Sequence, residues 1–76
     1  MKNYAIATYK IVKMGVLAEA ILEVDSSNGW LGACVVSAPV SRLGELEKMC
    51  YEEADRRAQQ AGVRLERLTQ ISTSNF

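Results

Sequence analysis

Catalysis, metal binding and phosphate binding each need particular side chains at particular spacings, and this chain supplies few of them. It contains no histidine, which removes the side chain best suited to gaining and losing a proton near neutral pH and the commonest metal ligand. Cys34 and Cys50 are its only cysteines, and they lack the short spacing or histidine partners that zinc and redox sites use. Either thiol would need a nearby lysine or a helix N-terminus to become a nucleophile, because there is no histidine base. Set within apolar patterns, both read as small buried hydrophobes in a reducing compartment, with a disulfide between them as the competing reading.

Glu19 and Glu23 fall on one face of an extended segment with Ile21 between them. Two carboxylates so placed have the right groups for acid–base work. That work also needs a cleft that shifts a pKa, and a solvated sheet face is the plainer reading. Gly29-Trp30-Leu31-Gly32 has two glycines but neither a following lysine nor a helix opening directly after it, so it does not make a phosphate loop. The residues point away from an enzyme and toward no cofactor or metal.

Binding chemistry is better represented. Arg56, Arg57, Arg64 and Arg67 cluster in the sequence, and converging guanidinium groups contact phosphate oxygens well, which is the basis of a nucleic-acid reading. Glu52, Glu53, Asp55 and Glu66 are interleaved with them and weaken it. Trp30 directly follows a turn and suits either a lid over the core or an anchor in a protein interface, where tryptophan is enriched. With Tyr9, Ile11, Glu19 and Glu23 it makes up the candidate partner-binding set.

One long helix and three or four strands must position these side chains. Ser41 to Gly62 reads as the helix: the Ser41 hydroxyl, just after Pro39 and Val40, can cap the first turn, and Gly62 can take the left-handed conformation that ends many helices. Leu43, Leu46, Cys50, Ala54, Ala58 and Ala61 recur at spacings of three and four, which gathers them into one core-facing stripe. Glu52 with Arg56 and Glu53 with Arg57 form i,i+4 pairs on the other side.

Tyr4 to Val12 is rich in aromatic and β-branched residues and reads as a strand. Tyr4, Ile6 and Val12 lie on one of its faces, Ala5, Ala7, Tyr9 and Ile11 on the other. Val16 to Val24 fits two templates, a strand with Val16, Ala18, Ala20, Leu22 and Val24 on one face, or a helix with Leu17, Ala20, Ile21 and Val24 as its stripe. A strand is expected, because Glu19 and Glu23 would repel each other at i,i+4 of a helix. Asp25 to Gly29 is a turn, with Asn28-Gly29 its strongest signal. Trp30 to Ala38 is a third strand ended by Pro39. Val63 to Ile71 alternates imperfectly, as a fourth strand or a short arm.

The order strand, strand, strand, helix, strand, with Pro39 marking the turn into the helix, resembles the small antitoxins of the HicB type. That resemblance implies a partial ferredoxin-like fold and carries no function with it. The expected fold is therefore α+β: a three- to four-stranded antiparallel sheet in β-β-β-α-β order with one long helix on one face. It occupies residues 1–71 as a single domain, followed by a frayed tail at 72–76.

With 76 residues, such a domain hides only about 60% of its unfolded surface. One apolar face of the first strand must lie away from the helix, so that side is expected to be covered by a second copy or a target protein. Nine basic and nine acidic residues cancel, so no overall field draws nucleic acid or an anionic membrane. Lys2 and Lys10 interrupt the N-terminal stretch, and no segment is apolar enough to span a bilayer. A cytoplasmic protein without membrane contact is expected. The expected function is a non-enzymatic protein-interaction module, alone or as a homodimer, of the kind that phages and mobile elements use to inhibit host systems, anti-CRISPR proteins included. The alternative is a small dimeric nucleic-acid-binding regulator or antitoxin that uses the arginine cluster.

Overall fold

The structure, a computed structural model, describes residues 3–75. Strands β1 (Tyr4–Met14), β2 (Leu17–Ser26) and β3 (Gly29–Pro39) run up and down through two tight turns. Gly15 and Gly29 take φ of 64° and 125° in these turns, conformations that glycine enters without a Cβ penalty. A short 3-10 turn (Val40–Arg42) leads into α1 (Leu43–Gln60), and β4 (Arg64–Asn75) follows. The strands form one sheet in the order β3-β2-β1-β4. The fold is thus α+β in the expected β-β-β-α-β order.

One pair differs from an all-antiparallel sheet: β4 runs parallel to β1. The cause is the crossover. α1 carries the chain back along the sheet, so β4 starts at the end where β1 starts, and strands that start together pair in parallel. The segment 16–24 is extended, with Ala18, Ala20, Leu22 and Val24 buried and alternating with Leu17, Glu19, Ile21 and Glu23.

The helix buries Leu46, Cys50, Ala54 and Ala58 against Ala5, Ala7, Tyr9 and Ile11 of β1, Ala18, Ala20, Leu22 and Val24 of β2, and Ala38 of β3. Leu22 and Leu46 are the largest fully buried side chains. Alanines on both surfaces keep the two layers close. Ser41 does not cap α1. It lies inside the 3-10 turn, and the N-cap position falls to Arg42, with no side-chain cap bond. Glu45 in the first turn suits the helix dipole there instead. Ala61 is the exposed C-cap rather than a core residue, and Gly62, at φ 72°, ends the helix as expected.

Two β-bulges explain the imperfect alternation of the last strand. Ala5 and Ile6 pair with Leu65 and Arg67, leaving Glu66 extra, and Tyr9 and Lys10 pair with Gln70 and Ser72, leaving Ile71 extra. Each extra residue stretches the spacing on one face from two to three, so Leu65 and Leu68 both reach the helix side and pack on the core. Ser72–Asn75, expected as a frayed tail, pair instead with Lys10–Lys13. The expectation for Phe76 lies outside the described residues.

Candidate interaction surface

The helix covers one face of the sheet, and strand register defines the other. Because side chains alternate across a strand, Leu17, Glu19, Ile21 and Glu23 of β2 share the open face with Thr8, Lys10 and Val12 of β1 and with Ala33, Val35 and Ser37 of β3. Ile21 stands beside Val35, and Leu17 beside Pro39. Leu17, Ile21 and Val35 are 50%, 38% and 56% exposed, so an aliphatic patch lies in the open on β2 and β3. Arg64 and Arg67 of β4 pair with Tyr4 and Ile6. The open face therefore has carboxylates on β2 and guanidinium groups on β4.

The five candidate partner-binding residues do not form one surface. Glu19 and Glu23 lie on the open face. Tyr9 and Ile11 are only 4% and 6% exposed, because their register partners are the buried Leu22 and Ala20 and all four lie under α1. They are core residues, which corrects their place in the set. The Tyr9 hydroxyl donates to Gln70 Oε1 at 3.3 Å, and burial, with help from the nearby Glu47 and Cys50, raises its pKa. Trp30 is not a core lid: it pairs across the sheet with Asp25, which in turn pairs with Ile6 on the open side of β1. It is 58% exposed and lines a shallow groove of about 650 Å³ beside the C-terminal half of α1, together with Leu31, Gly32, Arg56, Arg57 and Gln60.

The arginine cluster is also divided. Arg57 donates from Nε to Glu53 Oε2 and from Nη1 to the Leu31 carbonyl, both at 2.9 Å, which ties it to β3. Arg56 pairs with the same Glu53 carboxylate. Arg64 and Arg67 belong to β4, at the opposite edge of the sheet. Four guanidinium groups that looked adjacent in sequence therefore sit on two edges, two of them sharing one glutamate. The helix-to-strand turn at Ala61 and Gly62 separates the pairs.

The two thiols are free, Cys34 half-buried and Cys50 buried. Burial, and then the neighbouring Cys34 and Glu47, push the Cys50 pKa up to about 11. Cys50 therefore stays protonated at neutral pH, and a protonated thiol is a poor nucleophile and metal ligand. Among the described residues, no group of three or more histidine, cysteine, aspartate or glutamate side chains is placed to hold a metal ion. No described helix is long and apolar enough to cross a membrane.

The aliphatic patch was absent from the candidate set, although its signal was present. Leu17 and Ile21 alternate with Glu19 and Glu23 in the sequence, so the carboxylates that suggested a solvated face already carried two large aliphatic side chains with them. Val35 was harder to place, because β3 is apolar at nearly every position and its two faces look alike. No protein family, curated protein or solved structure matches this chain.

Proposed function

We propose that the protein is a non-enzymatic interaction module that lays its open sheet face on a larger protein, acting in the cytoplasm as an inhibitor of the kind phages and mobile elements direct at host systems, anti-CRISPR proteins included. The observation that carries the reading is the half-exposed Leu17, Ile21 and Val35 patch, with Glu19 and Glu23 interleaved, on the face that the helix leaves uncovered. Apolar side chains framed by charges are the usual composition of a protein-binding surface, in which the aliphatic centre supplies affinity and the polar surround supplies orientation. The nucleic-acid alternative needs converging arginines, and their division between two edges leaves it with less support.

The test is affinity capture from a bacterial host lysate with wild-type protein and with Ile21→Lys in parallel. Ile21 is exposed enough that the substitution should leave the fold within about 0.5 kcal/mol of wild type. A stoichiometric partner held by wild type and released by Ile21→Lys supports the reading. A partner held equally by both, or none at all, counts against it.

A further inference from the structure

The edge strand β3 leaves an outer hydrogen-bonding ladder without the usual guards. Gly29–Pro39 contains no charged residue, whereas sheet edges are normally blunted by lysine and other charges, by proline or by bulges. The opposite edge, β4, carries Arg64, Glu66 and Arg67 and is bulged twice. On β3 the two blunting devices sit at the ends of a regular stretch. Leu31 is the extra residue of a bulge between the Val24 and Asp25 pairings, and its carbonyl already accepts Arg57 Nη1. Pro39 has no N–H to offer.

Between those ends, alternation fixes which groups face outward. The Val40 N–H donates to the Val16 carbonyl at 2.8 Å, so Ala38, Val36 and Cys34 also turn their N–H and C=O groups toward β2. Ala33, Val35 and Ser37 turn theirs to the open edge. We infer that the protein pairs with a second copy of itself through this ladder, β3 against β3, antiparallel about a two-fold axis at Val35.

That register uses every available group. Val35 faces its own counterpart, Ala33 faces the other chain's Ser37, and Ser37 faces its Ala33, each pair exchanging both hydrogen bonds. An axis at Cys34 would set Ser37 against Leu31, whose carbonyl is taken. An axis at Val36 would set Ala33 against Pro39, which lacks a donor. Val35 lies midway between the two terminators. A second copy is the occupant because self-pairing brings no like charges together along the strand. It also joins the half-exposed Val35 and Ile21 of each chain into one apolar surface across the axis. This contact uses the edge of the sheet and stands independently of the target proposed for the open face.

Sedimentation of the full chain up to millimolar concentration tests it. The mass should rise from 8.4 kDa toward twice that value. Val35→Lys, which sets like charges together at the axis, should weaken association ~tenfold or more while the thermal midpoint of the dilute, monomeric protein is held. Ala33→Lys combined with Ser37→Lys, both at exposed positions, sets lysines opposite each other in the two outer pairs and serves if Val35→Lys disturbs the fold. A chain that stays monomeric at millimolar concentration leaves the ladder to some other extended segment and overturns the inference. A dimer that survives the lysine substitutions overturns it as well, by placing the contact elsewhere.

Discussion

Arg57 lies across the backbone of Gly32. Its Nη1 occupies the space a Cβ on that glycine would fill and from there donates to the carbonyl of the preceding Leu31. Gly32 also holds φ at 104°, a conformation that side chains with a Cβ rarely adopt. Two constraints thus meet at one residue, because the bulge at Leu31 bends β3 just where the helix reaches down to it. Gly32→Ala should destabilise the domain by about 1–3 kcal/mol. Denaturant unfolding should show a lower midpoint at an unchanged slope, and an unaltered midpoint would mean that the strand relaxes around the new methyl group.

Glu53 is held below its ordinary pKa of 4.5, first by hydrogen bonds from Arg56 and Arg57 and then by their charges. A carboxylate whose folded pKa lies below its unfolded value stabilises the fold at neutral pH. That contribution fades as pH falls from the unfolded pKa through the folded one, where the unfolded state binds the proton more readily. Stability should therefore decline below about pH 4.5 with a Glu53-dependent component. Glu53→Gln should remove that component and flatten the acid limb of a plot of unfolding midpoint against pH. An acid limb of the same slope in the variant would assign the decline to other carboxylates.

Much of this architecture was legible because burial imposes a period on the sequence. Leu46, Cys50, Ala54 and Ala58 could be assigned to the core from their spacing alone, and the alternation in 16–24 identified a strand despite its alanine, leucine and glutamate content. Periodicity says nothing about direction, which is why the parallel pairing of β4 was not visible. It also fails at bulges, where Glu66 and Ile71 each add a residue and make a paired strand look irregular. The candidate site suffered from a different ambiguity. Tyr9 and Ile11 were assigned to the correct side of β1 relative to each other, yet nothing in that strand says which side the helix will cover. The arginines were judged by sequence distance, and the crossover from β3 to β4 places them at opposite edges.

Cys50 should be silent to thiol reagents in the folded protein. Its side chain is fully buried, and a pKa raised to about 11 leaves almost no thiolate at neutral pH, the form that alkylating reagents attack. Cys34 is only half-buried and should be modified first. Mass spectrometry after alkylation at pH 7 should find one label in native protein and two after denaturation. Rapid double labelling of native protein would show that α1 opens from the sheet far more often than its packing implies.

The end of β4 offers a test of whether pairing or side-chain burial holds it in place. Ser72–Asn75 are exposed, so they bury little apolar surface. Their backbone nevertheless runs alongside Lys10–Lys13, and Thr73 borders a shallow pocket with Tyr9, Ile11 and Leu43. A chain ending at Ile71 would leave the outer side of β1 bare over that stretch, and each hydrogen bond lost costs about 0.5–1.5 kcal/mol net. The truncated protein should unfold at a lower temperature, and the β1 amides that face β4 between Lys10 and Lys13 should exchange with solvent faster, while those facing β2 keep their protection. Unchanged exchange at these amides would mean that the final residues add no ladder of consequence, and that the tail read from their polar composition describes them after all.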